Sequence, residues 1–362
     1  MSGNKRRGLC LRLLALLPVF IAVICACERR ELEVYSSDKV AIRIDVDWMT
    51  DYGYTPEGMT LMLCKDGDEV TYSTITNDVH SHSVMLEPGT YYLTVFNNTT
   101  SEFYSMHFED LNSHYAAAVR SYFKSSRYSR AWDGNIQYLM PPEDIGVATD
   151  TFTITPEMIE EQQKFLNWHW HDNLSENLTE YVFPVVVEPL ITRLHVRCNV
   201  KGATSISAIE ASITGFADGC YLNRVIRTNE FGNLQLDGPW TFTPADETRT
   251  WGTIENSIAT FGLPFGKEIK ENRDSADNIF HINFLLRNDS LMDRSFKVGK
   301  TLVYRTPSGD ALTLAELLRH IEVEVYIPDT IYLPPVEGNS ASAFDAEVMD
   351  WQPGDTFVIG GF

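Results

Sequence analysis

A strict two-residue period runs through Leu194-His195-Val196-Arg197-Cys198-Asn199-Val200-Lys201, where every even position is apolar and every odd position is polar. This alternation predicts a β-strand with one buried face and one solvated face, with Cys198 on the buried face. The same period governs residues 40–48, where Asp45 and Asp47 fall on the solvated face. It recurs at 209–213, 280–286 and 321–327. Strands therefore dominate both halves of the chain.

Turn sequences divide the first half into short extended runs. Pro56-Glu57-Gly58, Lys65-Asp66-Gly67-Asp68 and Glu87-Pro88-Gly89 combine residues that favour tight turns. Between and after them the pattern predicts strands at 59–64, 71–76, 83–86 and 91–96. Strands that recur about every ten residues with such turns between them are typical of a β-sandwich.

Helical patterns interrupt the strands in three places. Apolar residues at helical spacing predict a helix within 108–130; they are Leu111, Tyr115, Ala118/Val119 and Tyr122/Phe123. A second helix is predicted to start at Thr155, with Pro156 at its first position, and to run towards Trp170. The capping box at 313–316 predicts a third short helix.

The N-terminus has the layout of a secretory signal. A basic segment at 5–12 precedes an apolar run at 13–24, shorter than the roughly 20 residues that a membrane span needs. The run ends in Ile24-Cys25-Ala26-Cys27, which is similar to a bacterial lipobox and implies lipidation of Cys27. Glu28 permits delivery to the outer membrane. The alternative is an ordinary cleaved signal peptide.

The composition is strongly acidic. The chain has 29 Lys and Arg against 50 Asp and Glu, a net charge of −21. Residues 1–26 carry four of the basic residues, so their removal leaves 25 and a net charge of about −25. Such a chain repels nucleic acid and anionic bilayers. Because no later stretch is apolar enough to span a membrane, contact with the membrane is predicted through lipid on Cys27, held by two or three acyl chains.

Three cysteines follow Cys27, at positions 64, 198 and 220. Their odd number argues against a disulfide framework. A single bridge between Cys198 and Cys220 remains open in an oxidising compartment. No surrounding His and Asn pattern indicates a catalytic thiol.

Catalytic and cofactor motifs are absent from the sequence. It contains no GxGxxG, P-loop, HExxH, GxSxG or CxxC, and no carboxylate pair stands out as glycosidase machinery. The sequence therefore predicts a protein without catalysis, cofactor or metal.

One aromatic cluster remains a candidate for ligand binding, namely Trp168, His169, Trp170 and His171, followed by Asp172. The histidines and Asp172 share a metal only if the segment is extended, because helical residues two apart point to different faces. The tryptophans suit stacking on a sugar or on a partner. The alternative is aromatic packing at a domain junction. Trp240, Trp251 and Trp351 adjoin turns and leave the same choice between a sugar-binding face and a sandwich edge.

Several short motifs together carry a family resemblance. They are the lipobox, Pro56-Glu57-Gly58-Met59, the run 84–91, Ile191-Thr192-Arg193-Leu194, Ser212-Ile213-Thr214-Gly215 and the run 344–351. The chain resembles the fimbrillin-A-associated anchor and minor-subunit lipoproteins of the type V fimbriae of Bacteroidales. The resemblance covers most of the chain, although each motif is short.

The resemblance implies a mainly β fold of two tandem transthyretin-like (Greek-key) β-sandwich domains with short helical insertions. It implies an outer-membrane lipoprotein, exposed at the cell surface or within a fimbrium, that anchors or accompanies a filament and joins a stalk subunit by β-strand addition. The alternative is a surface lipoprotein that binds glycan or peptide independently of a filament. The predicted organisation is signal peptide 1–26, lipidated tether 27–37, N-terminal β-sandwich domain 38–150, junction with a helix 151–184 and C-terminal β-sandwich domain 185–362.

Overall fold

A computed structural model describes residues 38–48, 56–67, 69–125, 136–168, 181–305, 322–336 and 357–359. The described residues are mainly β. The strands of the first half are β1 (Val40–Trp48), β2 (Met59–Lys65), β3 (Val70–Thr76), β4 (Ser81–Leu86), β5 (Gly89–Asn97), β6 (Met106–Glu109), β7 (Ala118–Ser121), β8 (Phe123–Ser125), β9 (Gln137–Leu139) and β10 (Gly146–Ile154).

The second half supplies strands of similar length. They are β11 (Tyr181–Pro189), β12 (Thr192–Lys201), β13 (Ile206–Ala217), β14 (Gly219–Tyr221), β15 (Ile226–Arg227), β16 (Phe231–Gln235), β17 (Trp240–Pro244), β18 (Trp251–Thr260), β19 (Ile279–Leu286), β20 (Leu291–Lys297), β21 (Leu302–Arg305), β22 (Glu322–Tyr332) and β23 (Phe357–Ile359). Short 3-10 turns lie at Ala203–Ser205, Lys270–Asn272 and Ser275–Asp277.

The chain divides into two compact units. One comprises residues 1–40 and 156–178, and the other comprises residues 41–155 and 179–362. In the first unit the structure describes residues 38–40 and the helix α1 (Pro156–Trp168). This helix confirms the one predicted from Thr155 onwards. The helix predicted at 313–316 lies outside the described residues, and the predicted domain boundaries stay predictions.

A seven-stranded sheet includes β10 and β11, the strands on either side of α1 in sequence. Its order is β3-β2-β5-β10-β11-β1-β4. The strands β1 and β11 pair in parallel, with Ile42 opposite Tyr181 and Trp48 opposite Val187. The alternation predicted for 40–48 is confirmed, because Ile42 and Ile44 are fully buried while Asp47 is exposed.

Two six-stranded sheets share one hydrophobic core, which is formed mainly by residues of the second half. Their orders are β21-β22-β12-β18-β17-β23 and β20-β19-β13-β16-β9-β8. The even-numbered residues of β12, including Val196 and Cys198, are fully buried and belong to the same core as Phe280 and Ile282 of β19. This arrangement confirms the predicted strands at 194–200, 209–213 and 280–286. The strand predicted at 321–327 is confirmed from Glu322 onwards, and residue 321 lies outside the described residues.

The strand predicted to end before Gly215 continues to Ala217. Its pairing with β16 shifts register between Ile213 and Phe216, so β13 passes through a bulge. Gly215 lies in that bulge with a φ of +82°, and a Cβ there would stand 2.3 Å from the carbonyl oxygen of Asp277. Glycine is therefore required where the strand was expected to stop.

A four-stranded sheet joins strands from both halves in the order β15-β14-β7-β6. The predicted helix within 108–130 is wrong for the described residues up to 125, which form the end of β6, turns between 110 and 117, β7 and β8. Val119 pairs with Phe108 on one side and with Cys220 on the other. Consecutive Ala118 and Val119 are both buried, because β7 is an inner strand with covered faces. These two buried neighbours supplied part of the apparent helical spacing, whereas Tyr115, Tyr122 and Phe123, which completed it, are about half exposed.

The cysteines at 64, 198 and 220 are buried, and Cys198 and Cys220 are free thiols, so the open alternative of a Cys198–Cys220 bridge is not realised. Burial raises the pKa of the Cys198 thiol, and it raises the pKa of Cys220 to about 11 despite the opposing charge of Arg227. Both thiols are protonated at neutral pH and unreactive as nucleophiles.

Candidate functional site

The site residues predicted from sequence lie mostly beyond the described part of the chain. Cys27, His169, Trp170 and His171 are outside it. Trp168 is the last residue of α1, of which only the backbone is described there. Two other surfaces combine polar side chains in concave positions, and neither stood out in the sequence.

The first surface is a charge cluster around Arg120 of β7. The Arg120 guanidinium binds three carboxylates, with Nε 2.7 Å from Glu109 Oε2 and Nη1 2.6 Å from Asp218 Oδ2 and 2.9 Å from Glu230 Oε2. Arg120 and Asp218 keep only 15% and 7% of their side-chain surfaces exposed. The cluster lines an open pocket of about 370 Å³ together with His107. It ties the chain at 109–120 to the chain at 218–230.

The pKa values in this cluster follow from burial and from the partners. Burial opposes ionisation of Glu109, but hydrogen bonds from His107 and Arg120 outweigh it and lower the pKa of that carboxyl. Burial likewise disfavours the charged Arg120, yet its bonds to Asp218 and Glu109 raise the pKa of the guanidinium above its ordinary value. Glu109 and Arg120 are therefore charged throughout the neutral range, as expected of a structural ion pair.

The second surface is the solvated face of the sheet that contains β12, which we call the outer face. It consists of the outward residues of β12, β18 and β22. An open pocket of about 450 Å³ on this face is lined by Arg197, Asn199, Thr253, Tyr326 and neighbouring side chains. Arg197 and Asn199 are odd-numbered residues of the alternating run, so the sequence predicted their exposure but not their neighbours.

The tryptophans at positions 240, 251 and 351 lie in different parts of the chain. Trp240 is fully buried in the core of the second half, and Trp251 is 47% exposed on the outer face. Trp351 is outside the described residues. Burial excludes both a sugar-binding face and a sandwich edge for Trp240, while the choice stays open for Trp251 and Trp351.

Sheet edges offer a third kind of surface. The outermost strands include β3 in the seven-stranded sheet and β20 in one six-stranded sheet. Ile75 on β3 is 59% exposed and Leu291 on β20 is 45% exposed. The start of β3 is already bridged, because the Val70 N–H donates to the Asn112 carbonyl oxygen at 3.1 Å. Elsewhere an edge strand presents backbone groups to which another strand can pair.

The described residues contain no obvious metal centre or membrane span. Among them, no group of three His, Cys, Asp or Glu side chains is placed to hold a metal ion. Nor does any helix within the described ranges have the length and apolar character that crossing a membrane requires.

Residues 26–237 make up more than half of the chain. They match a family described as a domain of unknown function, DUF5119. The chain belongs to the DUF5119 family. No curated protein matches this DUF5119 chain in sequence.

Solved structures match the DUF5119 protein over most of its length. A candidate adhesin from Bacteroides ovatus matches with a TM-score of 0.52 and 14% identity, covering 86% of this chain and 98% of the adhesin. A second candidate adhesin from Bacteroides ovatus matches at 0.45 and 10%, covering 80% and 87%. The fimbrial anchor protein Mfa2 from Porphyromonas gingivalis matches at 0.42 and 10%, covering 80% and 90%.

These matches confirm the resemblance predicted from the sequence. At such low sequence identity the matches show a shared fold and nothing more. That conclusion rests on the first candidate adhesin, whose TM-score is above 0.5. The DUF5119 protein therefore has the fold of a Bacteroides candidate adhesin.

Proposed function

We propose that this chain is an outer-membrane lipoprotein that serves as the anchor or an accessory subunit of a surface fimbria. The observation that carries the proposal is the fold shared with a Bacteroides ovatus candidate adhesin over 86% of the chain. The name of the Porphyromonas gingivalis match, a fimbrial anchor protein, is in keeping with it. The role is structural and needs no catalysis, cofactor or metal.

The architecture suits assembly by strand addition. In the proposed arrangement the chain holds two tandem transthyretin-like sandwiches, and a stalk subunit pairs with an open sheet edge. Backbone hydrogen bonds then supply affinity, and alternate side chains set the register. The exposed Ile75 on β3 and Leu291 on β20 support this reading, because an incoming strand would cover them.

Anchoring is proposed to rest on Cys27 at the end of Ile24-Cys25-Ala26-Cys27. Acyl chains on this residue hold the protein in the outer membrane, while the acidic remainder stands away from the lipid surface. Two or more chains are needed because one gives only marginal binding.

Cys25 provides a matched control for Cys27, because both lie in the same four-residue motif. Cys27→Ala should move the protein from the membrane fraction to the soluble fraction and abolish incorporation of labelled palmitate, since the acylated thiol is gone. Cys25→Ala should leave both unchanged. Fractionation and labelling in the native bacterium measure this. If Cys27→Ala stays in the membrane and keeps the label, the proposed lipid site is wrong.

A further inference from the structure

The outer face places two exposed aromatic residues on either side of one lysine. Lys201 of β12 pairs with Trp251 of β18 on one side and with Tyr332 of β22 on the other. Paired residues on neighbouring strands project to the same face of a sheet. Trp251 is 47% exposed and Tyr332 is 67% exposed. Because they are separated by two inter-strand spacings, their backbones lie about 10 Å apart.

Beside this aromatic row runs a fixed set of hydrogen-bonding groups. The Thr253 hydroxyl donates to Asn199 Oδ1 at 3.2 Å, and Asn199 Nδ2 donates to the Tyr326 hydroxyl at 2.7 Å. The Tyr326 oxygen accepts in that bond, so its own proton is available for another acceptor. Tyr326 is 42% exposed, and this proton can reach a bound molecule. The polar groups are thus oriented before any ligand arrives.

The charges on this face are balanced by one another. Arg197 Nε lies 2.7 Å from Glu255 Oε1, and Arg197 Nη1 lies 3.7 Å from Glu324 Oε1. The chain as a whole carries a net charge of −21 and repels anions at longer range. A neutral ligand fits this electrostatic environment, whereas an acidic polysaccharide does not.

The face is closed to strand addition. The strand β12 is paired along both edges, with β18 on one side and β22 on the other. Its backbone groups are therefore used within the sheet, and only side chains are offered to a ligand. Trp and Tyr provide large rigid contact areas at low entropic cost, and a few convergent polar groups supply orientation.

We propose that the outer face binds a neutral, extended oligosaccharide, with pyranose rings stacked on Trp251 and Tyr332. The apolar C–H faces of the sugar rings match the two aromatic rings. The ring hydroxyls meet Asn199, Tyr326 and Arg197 in the adjoining pocket of about 450 Å³. The two rings lie in a row across three neighbouring strands, which favours a straight chain over a curled one. This binding goes beyond the fimbrial role and does not depend on it.

The test uses the purified full-length chain and three straight, neutral, β-1,4-linked probes: cellohexaose, mannohexaose and chitohexaose. Calorimetric titration should find a Kd below about 1 mM for at least one of them. Trp251→Ala and Tyr332→Ala should each weaken that affinity about tenfold, because each removes a stacking ring. Trp251→Phe keeps an aromatic face and should stay within about threefold.

Two controls separate this site from others. Phe231→Ala removes an aromatic residue that is 69% exposed on β16, away from the outer face, and should leave the Kd unchanged. Thermal unfolding verifies that each variant is folded. The proposal is overturned if none of the three probes binds, or if affinity survives in the Trp251→Ala, Tyr332→Ala double variant. Loss of binding in Trp168→Ala or Trp170→Ala alone would likewise overturn it, by moving the site to that segment.

Discussion

Replacement of Arg120 by alanine is expected to lower the free energy of unfolding by about 3–5 kcal/mol. Asp218 is the reason, since only 7% of its side chain is exposed and its Oδ2 faces the Arg120 guanidinium. Without Arg120 the structure must bury this carboxylate with no cation beside it. Chemical denaturation monitored by far-ultraviolet circular dichroism measures the change.

A double-mutant cycle shows whether the loss has this cause. Asp218→Asn in the Arg120→Ala background removes the unpaired charge and should recover part of the lost stability. Arg193→Ala is the matched control, because Arg193 lies 3.8 Å from Asp144 in an ion pair with both side chains more than half exposed. That change should cost less than about 1 kcal/mol. If Arg120→Ala costs no more than the control, the cluster does not hold the two segments together.

Replacement of Glu210 by glutamine is expected to raise the free energy of unfolding at pH 8 by up to about 3 kcal/mol, and to change little near pH 4. Glu210 lies on β13 with 3% of its surface exposed, and its Oε1 has no hydrogen-bond partner. Burial, with a smaller contribution from Asp237, raises the pKa of this carboxyl to about 7 from an ordinary value of 4.5. Glutamine keeps the shape and removes the ionisation.

The pH window follows from these two pKa values. Below about pH 4.5 the carboxyl is protonated in both the folded and the unfolded chain, so it causes no loss. Between 4.5 and about 7 the unfolded chain ionises while the folded chain does not, and stability falls as pH rises. Above about 7 both forms are ionised and the loss is complete. Tyr138, whose pKa is raised by burial, titrates well above this window.

The control for this prediction is an exposed acid elsewhere. Glu247→Gln changes the same functional group at an exposed position of a turn and should alter stability by less than about 0.5 kcal/mol at either pH. Urea denaturation of both variants at about pH 4 and pH 8 makes the comparison. A stability difference for Glu210→Gln that is the same at both pH values would show that Glu210 is not held protonated by the fold.

Local patterns account for most of the strands. The alternation in 40–48 and 194–201 reflects one buried face and one solvated face, which each segment encodes by itself. The start of α1 is equally local, because Thr155 and Pro156 favour a helix start wherever they stand in the fold. The failure at 108–125 has the opposite cause. There β7 is set by pairing with Phe108 and Cys220, and the second partner is about a hundred residues away.

The candidate surfaces likewise depend partly on local sequence patterns and partly on pairing between distant segments. The odd residues of the run 194–201 were expected to be solvated, and Arg197 and Asn199 do line the pocket on the outer face. That Trp251 and Tyr332 flank Lys201 depends on the register of three strands, which no local pattern contains. The Arg120 cluster is even harder to predict from the sequence, because Asp218 and Glu230 lie 98 and 110 residues from Arg120 along the chain.

Co-purification from the native bacterium tests the fimbrial role most directly. An affinity-tagged full-length chain is purified from the outer-membrane fraction beside its Cys27→Ala variant, and the bound proteins are identified by mass spectrometry. The expected result is a β-rich filament subunit in stoichiometric amount with the wild-type chain in the membrane, and release of the variant from that membrane. A wild-type chain that resides in the outer membrane but is recovered alone would contradict the fimbrial role.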